Sequence, residues 1–441
     1  KEAERRHLPV LVPAQDIPEE KEGYAKSRFT YSAEGNFYTC PLGTVLPLAS
    51  THGASGGKNA HELYRCRNEA CPQKSACTKD KKGRGIKRFE GENEMIRQAA
   101  GGMTAEMVAA VTKLMSNLDL MLAASKIRNV KHCNNTIGLA GTLGSRCQPN
   151  HQTDSVEGIR AAVYEGLSFG SGDSVIGINP SDDSVGSVSR LLEMTHEVIT
   201  RWEIPTQNCV LAHVSTQMEA MRHGAPLGLV FQSLSGSQKG CESFGINVGM
   251  LDEAYALAKR YAVATGPNYM YFETGQGAEL SADAHHGADQ LVMEARCYGL
   301  AKRYDPFQVN TVVGFIGPEY LYDSTQIARA GLEDHFMGKL TGLSMGCDVC
   351  YTNHARSTQN ENENLAVLLG AAGVNFIMGI PMGDDSMLSY QSTSYHDAPS
   401  LRALLRMRPL PEFEAWMEGL GLMRDGRLTD RAGDASFFLA R

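Results

Sequence analysis

The stretch Tyr269-Met-Tyr-Phe-Glu273 is short, almost entirely apolar, and ends in one carboxylate. Seven similar runs are spaced along the chain, separated by amphipathic stretches at helical spacing. The eight runs cover residues 136–140, 174–178, 209–214, 227–232, 269–273, 311–316, 344–351 and 375–380. They recur about once every 31 residues, the size of a strand–helix unit in a barrel of about 250 residues. In none of them do apolar and polar residues alternate strictly, as expected for strands covered on both faces. The sequence therefore predicts an α/β fold, a (β/α)8 TIM barrel.

Composition and charge divide the chain into two parts. Of its 441 residues, 42% are hydrophobic and 21% are charged, which excludes a disordered, collagen-like or coiled-coil protein. The net charge is −8, yet residues 1–100 are net basic. We predict a Cys-containing leader over residues 1–102 and the barrel over residues 103–441. No signal peptide or membrane span is recognisable, and the eleven cysteines suit reduced thiols or metal ligands, so we expect a soluble, cytoplasmic protein without a membrane partner.

The leader is predicted to be small and irregular, because it lacks sustained helical or strand periodicity. Its cysteines stand at short spacings that could close a tetrahedral zinc site in place of a hydrophobic core. These cysteines are Cys40, Cys66, Cys71 and Cys77. The alternative is a small irregular domain with reduced thiols. A basic run at residues 79–88 could contact phosphates weakly, but a solvated loop is the favoured interpretation, so nucleic acid is not an expected partner.

Three segments of the leader are distinctive. They are Phe29-Thr-Tyr31, Phe37-Tyr-Thr-Cys-Pro-Leu-Gly43, and Tyr64-Arg-Cys66 together with Cys71-Pro-Gln-Lys-Ser-Ala-Cys77. These segments resemble the C-terminal part of DDE-type insertion-sequence transposases, which carry a similar Cys-containing insert beside their nuclease domain. No set of acidic catalytic residues on a nuclease fold accompanies them here. The resemblance therefore implies a remnant without transposition chemistry.

Polar residues mark the ends of several of the eight runs, and these ends form the active-site face of such a barrel. Glu273 and Asp348 stand on otherwise apolar runs, where burial of an unpaired carboxylate is costly. Each needs a cation or hydrogen-bond donors, and internal salt bridges are the alternative to a shared ligand. Other residues at these ends are Arg146, Gln148, Asn179, Ser233, Phe315 and Met378, with Asp384 and Asp385 beyond the last run. Such a set suits a small, polar, cationic molecule with a hydroxyl, and suits phosphate poorly.

Longer blocks of the body are recognisable in sequence order. They include Tyr164-Glu-Gly-Leu-Ser-Phe-Gly-Ser-Gly-Asp173, Tyr271-Phe-Glu-Thr-Gly-Gln-Gly277, Asn310-Thr-Val-Val-Gly-Phe-Ile-Gly-Pro-Glu-Tyr-Leu-Tyr322 and Met382-Gly-Asp-Asp385. Over residues 103–441 the chain resembles the large, catalytic subunit of ethanolamine ammonia-lyase, an adenosylcobalamin-dependent enzyme. The resemblance implies conversion of ethanolamine to acetaldehyde and ammonia by radical elimination, which begins with homolysis of a cobalt–carbon bond. It also implies a small-subunit partner, a homo-oligomer of large subunits, and residence in the cytoplasm or a bacterial microcompartment.

The resemblance also assigns residues. Substrate contacts fall on Arg146, Gln148, Asn179, Glu273 and Asp348. Glu273 and Asp348 are expected to hold the substrate ammonium, while the other three donate to or orient its hydroxyl. The expected catalytic residues are Glu273, Asp348 and Arg146. The expected cofactor contacts are Asn179, Ser233, Glu273, Phe315, Met378 and Tyr390.

Two alternatives stay open. The transposase-like leader stands where members of the resembled family carry an N-terminal region of their own. The chain could therefore be an inactive fusion that keeps the barrel fold, with the leader a zinc-stabilised nucleic-acid-binding remnant. A cobalamin-dependent barrel enzyme that eliminates from a diol is a remoter alternative, because the two carboxylates favour an amine.

Overall fold

A computed structural model of the chain describes residues 102–315 and 321–439. Before residue 102 it describes the segments 30–32, 37–40, 42, 44–52, 61–68, 71–72, 74–77 and 85–89. Residues 316–320, inside the quoted block that ends at Tyr322, lie outside the described residues, as do residues 79–84 of the basic run. The chain divides into two units, Lys1–Ala99 and Ala100–Arg441. No helix in the described part is both long and apolar enough to cross a membrane.

The leader unit contains a small antiparallel sheet. Its strands are β1 (Thr30–Ser32), β2 (Phe37–Thr39), β3 (Val45–His52), β4 (His61–Arg65) and β5 (Gly85–Phe89), which pair in sequence order. A four-residue helix, α1 (Lys74–Cys77), comes between β4 and β5 in the sequence. Tyr38, Leu46 and Tyr64 are buried together, and the two tyrosine rings pack edge to face with their centroids 5.0 Å apart. These three side chains form the core of the leader.

The zinc site predicted in the leader is not found among the residues that the structure describes. Cys40, Cys66 and Cys77 pack against the leader core. Among the described residues, which include Cys71, no three His, Cys, Asp or Glu side chains are grouped so that they could hold a metal ion. The prediction of a four-cysteine metal centre is therefore wrong for this structure. Two tyrosines and a leucine supply the core that the metal was expected to replace.

Two helices and a short hairpin precede the barrel. The helices are α2 (Ala105–Lys113) and α3 (Asn117–Lys126), and the hairpin pairs β6 (Lys131–His132) with β7 (Thr136–Ile137). The side chain of Thr104 accepts a hydrogen bond from the backbone of Met107, so it caps the N-terminus of α2.

Eight parallel strands form the sheet of the second unit. They are β8 (Gly144–Cys147), β9 (Val175–Ile178), β10 (Asn208–Val210), β11 (Val230–Ser233), β12 (Met270–Thr274), β13 (Gln308–Val313), β14 (Met345–Val349) and β15 (Phe376–Gly379). Their hydrogen-bonded order is β10-β9-β8-β15-β14-β13-β12-β11, so the first and last strands in sequence are neighbours. The remaining gap, between β10 and β11, is spanned by a backbone hydrogen bond from Leu229 N to Asn208 O at 3.0 Å. The predicted (β/α)8 barrel is confirmed.

Helices alternate with these strands along the chain. They are α4 (Val156–Ser168), α5 (Val185–Arg201), α6 (Val214–Arg222), α7 (Gln238–Ser243), α8 (Val248–Tyr261), α9 (Ala278–Ser281), α10 (Gln290–Lys302), α11 (Ser324–Thr341) and α12 (Gln359–Ala371). In α5 the buried residues Val188, Leu191, Leu192 and Thr195 follow helical spacing and make one apolar stripe. This stripe buries α5 against the barrel.

The segment after β15 completes the chain. It contains a 3-10 turn (Pro381–Gly383), the hairpin β16 (Asp384–Asp385) and β17 (Tyr390–Gln391), α13 (Asp397–Leu405), α14 (Pro411–Gly419), the hairpin β18 (Met423–Arg424) and β19 (Arg427–Leu428), and a 3-10 turn (Ala435–Leu439). Backbone hydrogen bonds in both directions join Gln391 to Tyr351, two residues beyond β14. The β16–β17 hairpin is therefore held beside the carboxyl end of a barrel strand.

The first barrel strand lies later than the sequence predicts. The apolar pattern places it at residues 136–140, whereas the structure has it in β8. Ile137 is apolar because it is buried with Cys133, Val175 and Phe307 inside the barrel. Strand β8 itself reads Gly-Ser-Arg-Cys, and all four of its residues are buried. A buried arginine thus hides this strand from a pattern based on apolar runs.

Candidate active site

A cavity of about 240 Å³ opens at the carboxyl ends of the strands. Its lining residues are Arg146, Gln148, Asn179, Ser233, Leu234, Phe244, Glu273, Thr274, Gly275, Ala278, Val312, Phe315, Asp348, Leu388 and Tyr390. All the substrate and cofactor contacts expected from the sequence are in this set except Met378. Met378 is fully buried, and its sulfur lies 3.8 Å from Arg146 Nη1. It therefore contacts the arginine without lining the cavity.

Arg146 is fully buried and organises one side of the cavity. Its Nη1 donates to the Tyr271 hydroxyl at 2.9 Å and to Glu273 Oε1 at 3.0 Å. Its Nη2 donates to Asn179 Oδ1 at 2.5 Å and to the carbonyl oxygen of Gly177 at 3.3 Å. Burial by itself would lower the pKa of Arg146, but the neighbouring Tyr271 and Glu273 raise it above its usual value. The guanidinium is therefore a permanent cation whose donors are used within the protein.

Glu273 is held through one of its two oxygens. Besides Arg146, Oε1 accepts from the hydroxyl of Tyr271 at 3.0 Å and from Asn310 Nδ2 at 3.4 Å. Tyr271 stands two residues before Glu273 on the same strand, so both side chains point into the barrel. Oε2 accepts no hydrogen bond from the residues that the structure describes. One carboxylate oxygen is thus anchored, and the other is available to a ligand.

Asp348 is held through both oxygens. Ser392 donates to Oδ1, and the Tyr390 hydroxyl donates to Oδ2 at 2.9 Å. Burial raises the pKa of Asp348 to about 7, and the Glu273 carboxylate adds to the rise. The two hydroxyl donors and the charge of Arg146 oppose it. Asp348 consequently titrates near neutral pH, which is unusual for a carboxyl group and common at functional sites.

Gln148 connects this carboxylate to the hairpin after the last strand. Its Nε2 donates to Asp385 Oδ2 and to the Tyr390 hydroxyl, each at 2.8 Å. Asn150 Nδ2 donates to the same Asp385 oxygen at 2.7 Å. Tyr390 thus accepts from Gln148 and donates to Asp348. A continuous hydrogen-bonded network links the hairpin to the cavity.

The remaining expected residues lie at strand ends. Ser233 is the last residue of β11, and its Cα is the register partner of Glu273 on β12. Phe315 follows β13 by two residues, and its ring packs edge to face on Tyr390 with the centroids 5.3 Å apart. Sequence reasoning missed Tyr271 and Ser392. The alternation of a strand could have indicated Tyr271, because it faces the same way as Glu273.

Comparison with known proteins identifies the family. Residues 86–431 match the family described as ethanolamine ammonia lyase large subunit. The chain belongs to the ethanolamine ammonia-lyase large-subunit family. The ethanolamine ammonia-lyase large subunit of Escherichia coli K12 is 60% identical over 337 residues, which are 76% of this chain and 74% of the relative. The protein of the same name from Salmonella typhimurium LT2 is 59% identical over the same shares of the two chains.

Membership of the ethanolamine ammonia-lyase large-subunit family makes the chain part of a lyase. The charged residues that line its cavity are one cation, Arg146, and two carboxylates, Glu273 and Asp348. With both carboxylates ionised, the lining carries one net negative charge. Of the three, Arg146 and Glu273 form an ion pair at 3.0 Å. The charge left without a partner cation is therefore that of Asp348.

Proposed function

We propose that this chain is the catalytic subunit of an adenosylcobalamin-dependent ammonia-lyase that converts ethanolamine to acetaldehyde and ammonia. The catalytic part is the barrel over residues 103–441, and the leader over residues 1–102 takes no part in the chemistry. The observation that carries the proposal is the charge of the cavity lining, which lacks one cation. At neutral pH ethanolamine carries an ammonium group that supplies this charge. The names of the relatives give the reaction, and the lining gives the physical reason for an amine substrate.

The ammonium subsite is formed by hydrogen-bond acceptors. Glu273 Oε2 and Gln148 Oε1 accept from no described residue, and the oxygens of Asp348 retain further lone pairs beside their two donors. An ammonium group has three N–H donors, which these three residues can satisfy together. Hydrogen bonds to a charged group are roughly twice as strong as neutral ones, so this subsite supplies most of the polar binding energy.

The hydroxyl of the substrate is placed against Asn179. The Oδ1 of Asn179 accepts from Arg146, so its Nδ2 faces the cavity as a donor. Arg146 was expected to donate to the substrate hydroxyl or to orient it. Because its own hydrogen bonds use its donors, we propose that it acts by holding the side chains of Glu273 and Asn179 in place. The Arg146 side chain then serves the catalytic residues as a fixed counter-charge.

The outer part of the cavity fits the adenosyl group of the cofactor. Ser233 offers a hydroxyl beside Glu273, and Phe315 and Leu388 offer apolar surface, a combination that suits a ribose and a flat base. We propose that Ser233, Asn179, Glu273 and Phe315 would hold adenosylcobalamin, with Tyr390 packed behind Phe315. When bound, the cofactor supplies radical chemistry through homolysis of its cobalt–carbon bond. The residues of this chain orient the substrate and exclude water from it.

The relatives are named large subunits, and we propose that this chain likewise works with a small subunit and as an oligomer of large subunits. The test is co-expression of the full chain with a small subunit of a relative, followed by an assay of acetaldehyde that depends on both ethanolamine and adenosylcobalamin. Glu273→Gln should abolish turnover, because it replaces a carboxylate that accepts from the ammonium and that pairs with Arg146, while the circular dichroism spectrum stays unchanged.

Glu253→Gln is a matched control. Glu253 is exposed and pairs with Arg222 on the surface, so the same chemical change there should leave turnover at its wild-type level. No acetaldehyde from a well-folded, cofactor-loaded wild type would overturn the proposed function. Full turnover by Glu273→Gln would overturn the assignment of the site.

A second candidate is a fusion that keeps the barrel and its site but fails to assemble. It is favoured by the leader, because Lys1–Ala99 form a unit of their own and the match to the relative from Escherichia coli K12 covers 76% of this chain. Size-exclusion chromatography and retention of cobalamin after co-expression distinguish the two candidates. A monomer that loses cobalamin on desalting supports the fusion, and a large complex that retains cobalamin supports the enzyme.

A further inference from the structure

Asp385 lies outside the set of residues that line the cavity, yet it accepts a hydrogen bond from Gln148, which lines it. It ends the short strand β16 and is 4% exposed. Its Oδ1 accepts from the backbone N–H groups of Met387 at 3.0 Å and Leu388 at 2.9 Å, which holds the turn of the hairpin. Its Oδ2 accepts from Gln148 and Asn150. The Asp385 carboxylate is therefore the acceptor in all four of these hydrogen bonds.

An ionised carboxylate accepts hydrogen bonds and cannot donate one, so it fixes the orientation of any amide beside it. Gln148 must turn its NH₂ group to Asp385, and its second N–H is used by the Tyr390 hydroxyl. The group that Gln148 leaves for the cavity is its carbonyl oxygen. Asn150 is oriented in the same way, because its NH₂ faces Asp385 and its Oδ1 accepts from the backbone N of Asn179 at 2.7 Å.

We propose that Asp385 is a positioning residue that makes the cavity selective for an ammonium group over a hydroxyl. The inference rests on the proposed function and adds a determinant of its substrate specificity. With Gln148 held as an acceptor, an ammonium finds acceptors on Gln148, Glu273 and Asp348. A hydroxyl has a single hydrogen to donate and leaves two of these unsatisfied. If Gln148 turned round, its NH₂ group would face the cavity. It would then repel the ammonium, because both groups are hydrogen-bond donors, but it could still donate to the oxygen of a hydroxyl.

Asp385→Asn tests this directly. Asparagine has the same shape and can keep the Oδ1 contacts of the turn, but its NH₂ would face the donors of Gln148 and Asn150. Gln148 is then expected to turn round, whereas the backbone N–H of Asn179 keeps the Oδ1 of Asn150 in place. The control is Asp384→Asn on the same strand, because Asp384 is exposed and accepts from Gln391 at 3.2 Å on the outside of the hairpin. Asp385→Ser is a second variant, which removes the carboxylate from both amides with a smaller side chain that suits a turn.

The measurements are kcat/KM for ethanolamine and the inhibition constant of 1,2-ethanediol, on the complex of the full chain with a small subunit and adenosylcobalamin. Asp385→Asn should lower kcat/KM about tenfold, the factor expected for loss of one hydrogen bond to a charged group, while the diol binds as well as before or better. Asp385→Ser should likewise weaken the use of ethanolamine relative to the binding of the diol, which is the ratio that the experiment compares. Asp384→Asn should leave both kcat/KM and the inhibition constant unchanged.

Parallel weakening of amine and diol would overturn the inference, because that is the result of general loosening. An unchanged ratio in both Asp385 variants would also overturn it. If Asp385→Asn does not fold, the ratio in Asp385→Ser decides. Failure of the proposed function is distinguishable, since it would appear as a wild type without ethanolamine turnover.

Discussion

Lowering the pH from 8 to 6 should decrease kcat/KM for ethanolamine far more than it decreases kcat. Burial raises the pKa of Asp348 from its usual 3.8 to about 7. The ammonium binds the ionised carboxylate and is not attracted by the neutral acid. For a single group of pKa about 7, roughly one Asp348 in eleven is ionised at pH 6. We therefore expect kcat/KM at pH 6 to be about a tenth of its value at pH 8.

The assay is acetaldehyde release at saturating and limiting ethanolamine across this pH range. A bound ammonium stabilises the carboxylate, so kcat should hold its value to a lower pH than kcat/KM does. Asp348→Asn should lose the acid limb together with most of the activity, whereas Asp384→Asn should keep the wild-type profile. An acid limb of kcat/KM near pH 4, or one that persists in Asp348→Asn, would refute the reasoning.

Three further predictions concern the supports of the site and of the barrel. Tyr271→Phe removes a donor to Glu273 Oε1 and should lower kcat about tenfold without a change in circular dichroism; an unchanged kcat would contradict a positioning role. Arg402→Met leaves the buried carboxylate of Asp173 without the cation that lies 2.9 Å away, and urea titration should show a loss of about 3–5 kcal/mol in the free energy of unfolding; a loss below about 1 kcal/mol would contradict this. Asp348→Asn should raise Tm at pH 8. The folded pKa of Asp348, about 7, lies above its usual 3.8, so the stability that this carboxyl group contributes is complete below its unfolded pKa and is lost as the pH rises through about 7. The gain in Tm should therefore shrink at pH 4, and an equal gain at both pH values would argue against this reasoning.

The barrel could be predicted from the sequence because seven of its strands overlap short runs rich in apolar and β-branched residues, as expected for strands covered on both faces. The eighth could not. Strand β8 carries Arg146. The partners that allow its burial are Glu273 on β12 and Asn179, which follows β9 by one residue, and they become neighbours only in the folded chain. Residues 136–140 do form an apolar run, but Ile137 belongs to a hairpin outside the eight-stranded sheet and is buried in the barrel core from there.

The lining of the cavity was also accessible from the sequence, since polar residues at strand ends meet on one face of a barrel. Their hydrogen-bonding roles were not. Ser392 and Asp385 lie after the last strand, and no periodicity indicates that a hairpin there reaches Asp348 and Gln148. The zinc prediction failed for a related reason, because cysteine spacing cannot show whether thiols converge on a metal or pack on tyrosines.

Two separate physical causes should therefore distinguish an amine from a diol in this cavity. One is the charge of Asp348, which is lost as the pH falls through about 7. The other is the orientation of Gln148, which a carboxylate on the hairpin fixes. Below pH 7 the first contribution fades and the second remains. In the wild type, the preference for ethanolamine over 1,2-ethanediol should consequently decrease to a plateau as the pH is lowered. In Asp385→Asn that plateau should disappear. A preference that vanished at low pH in both proteins would mean that charge alone selects the substrate.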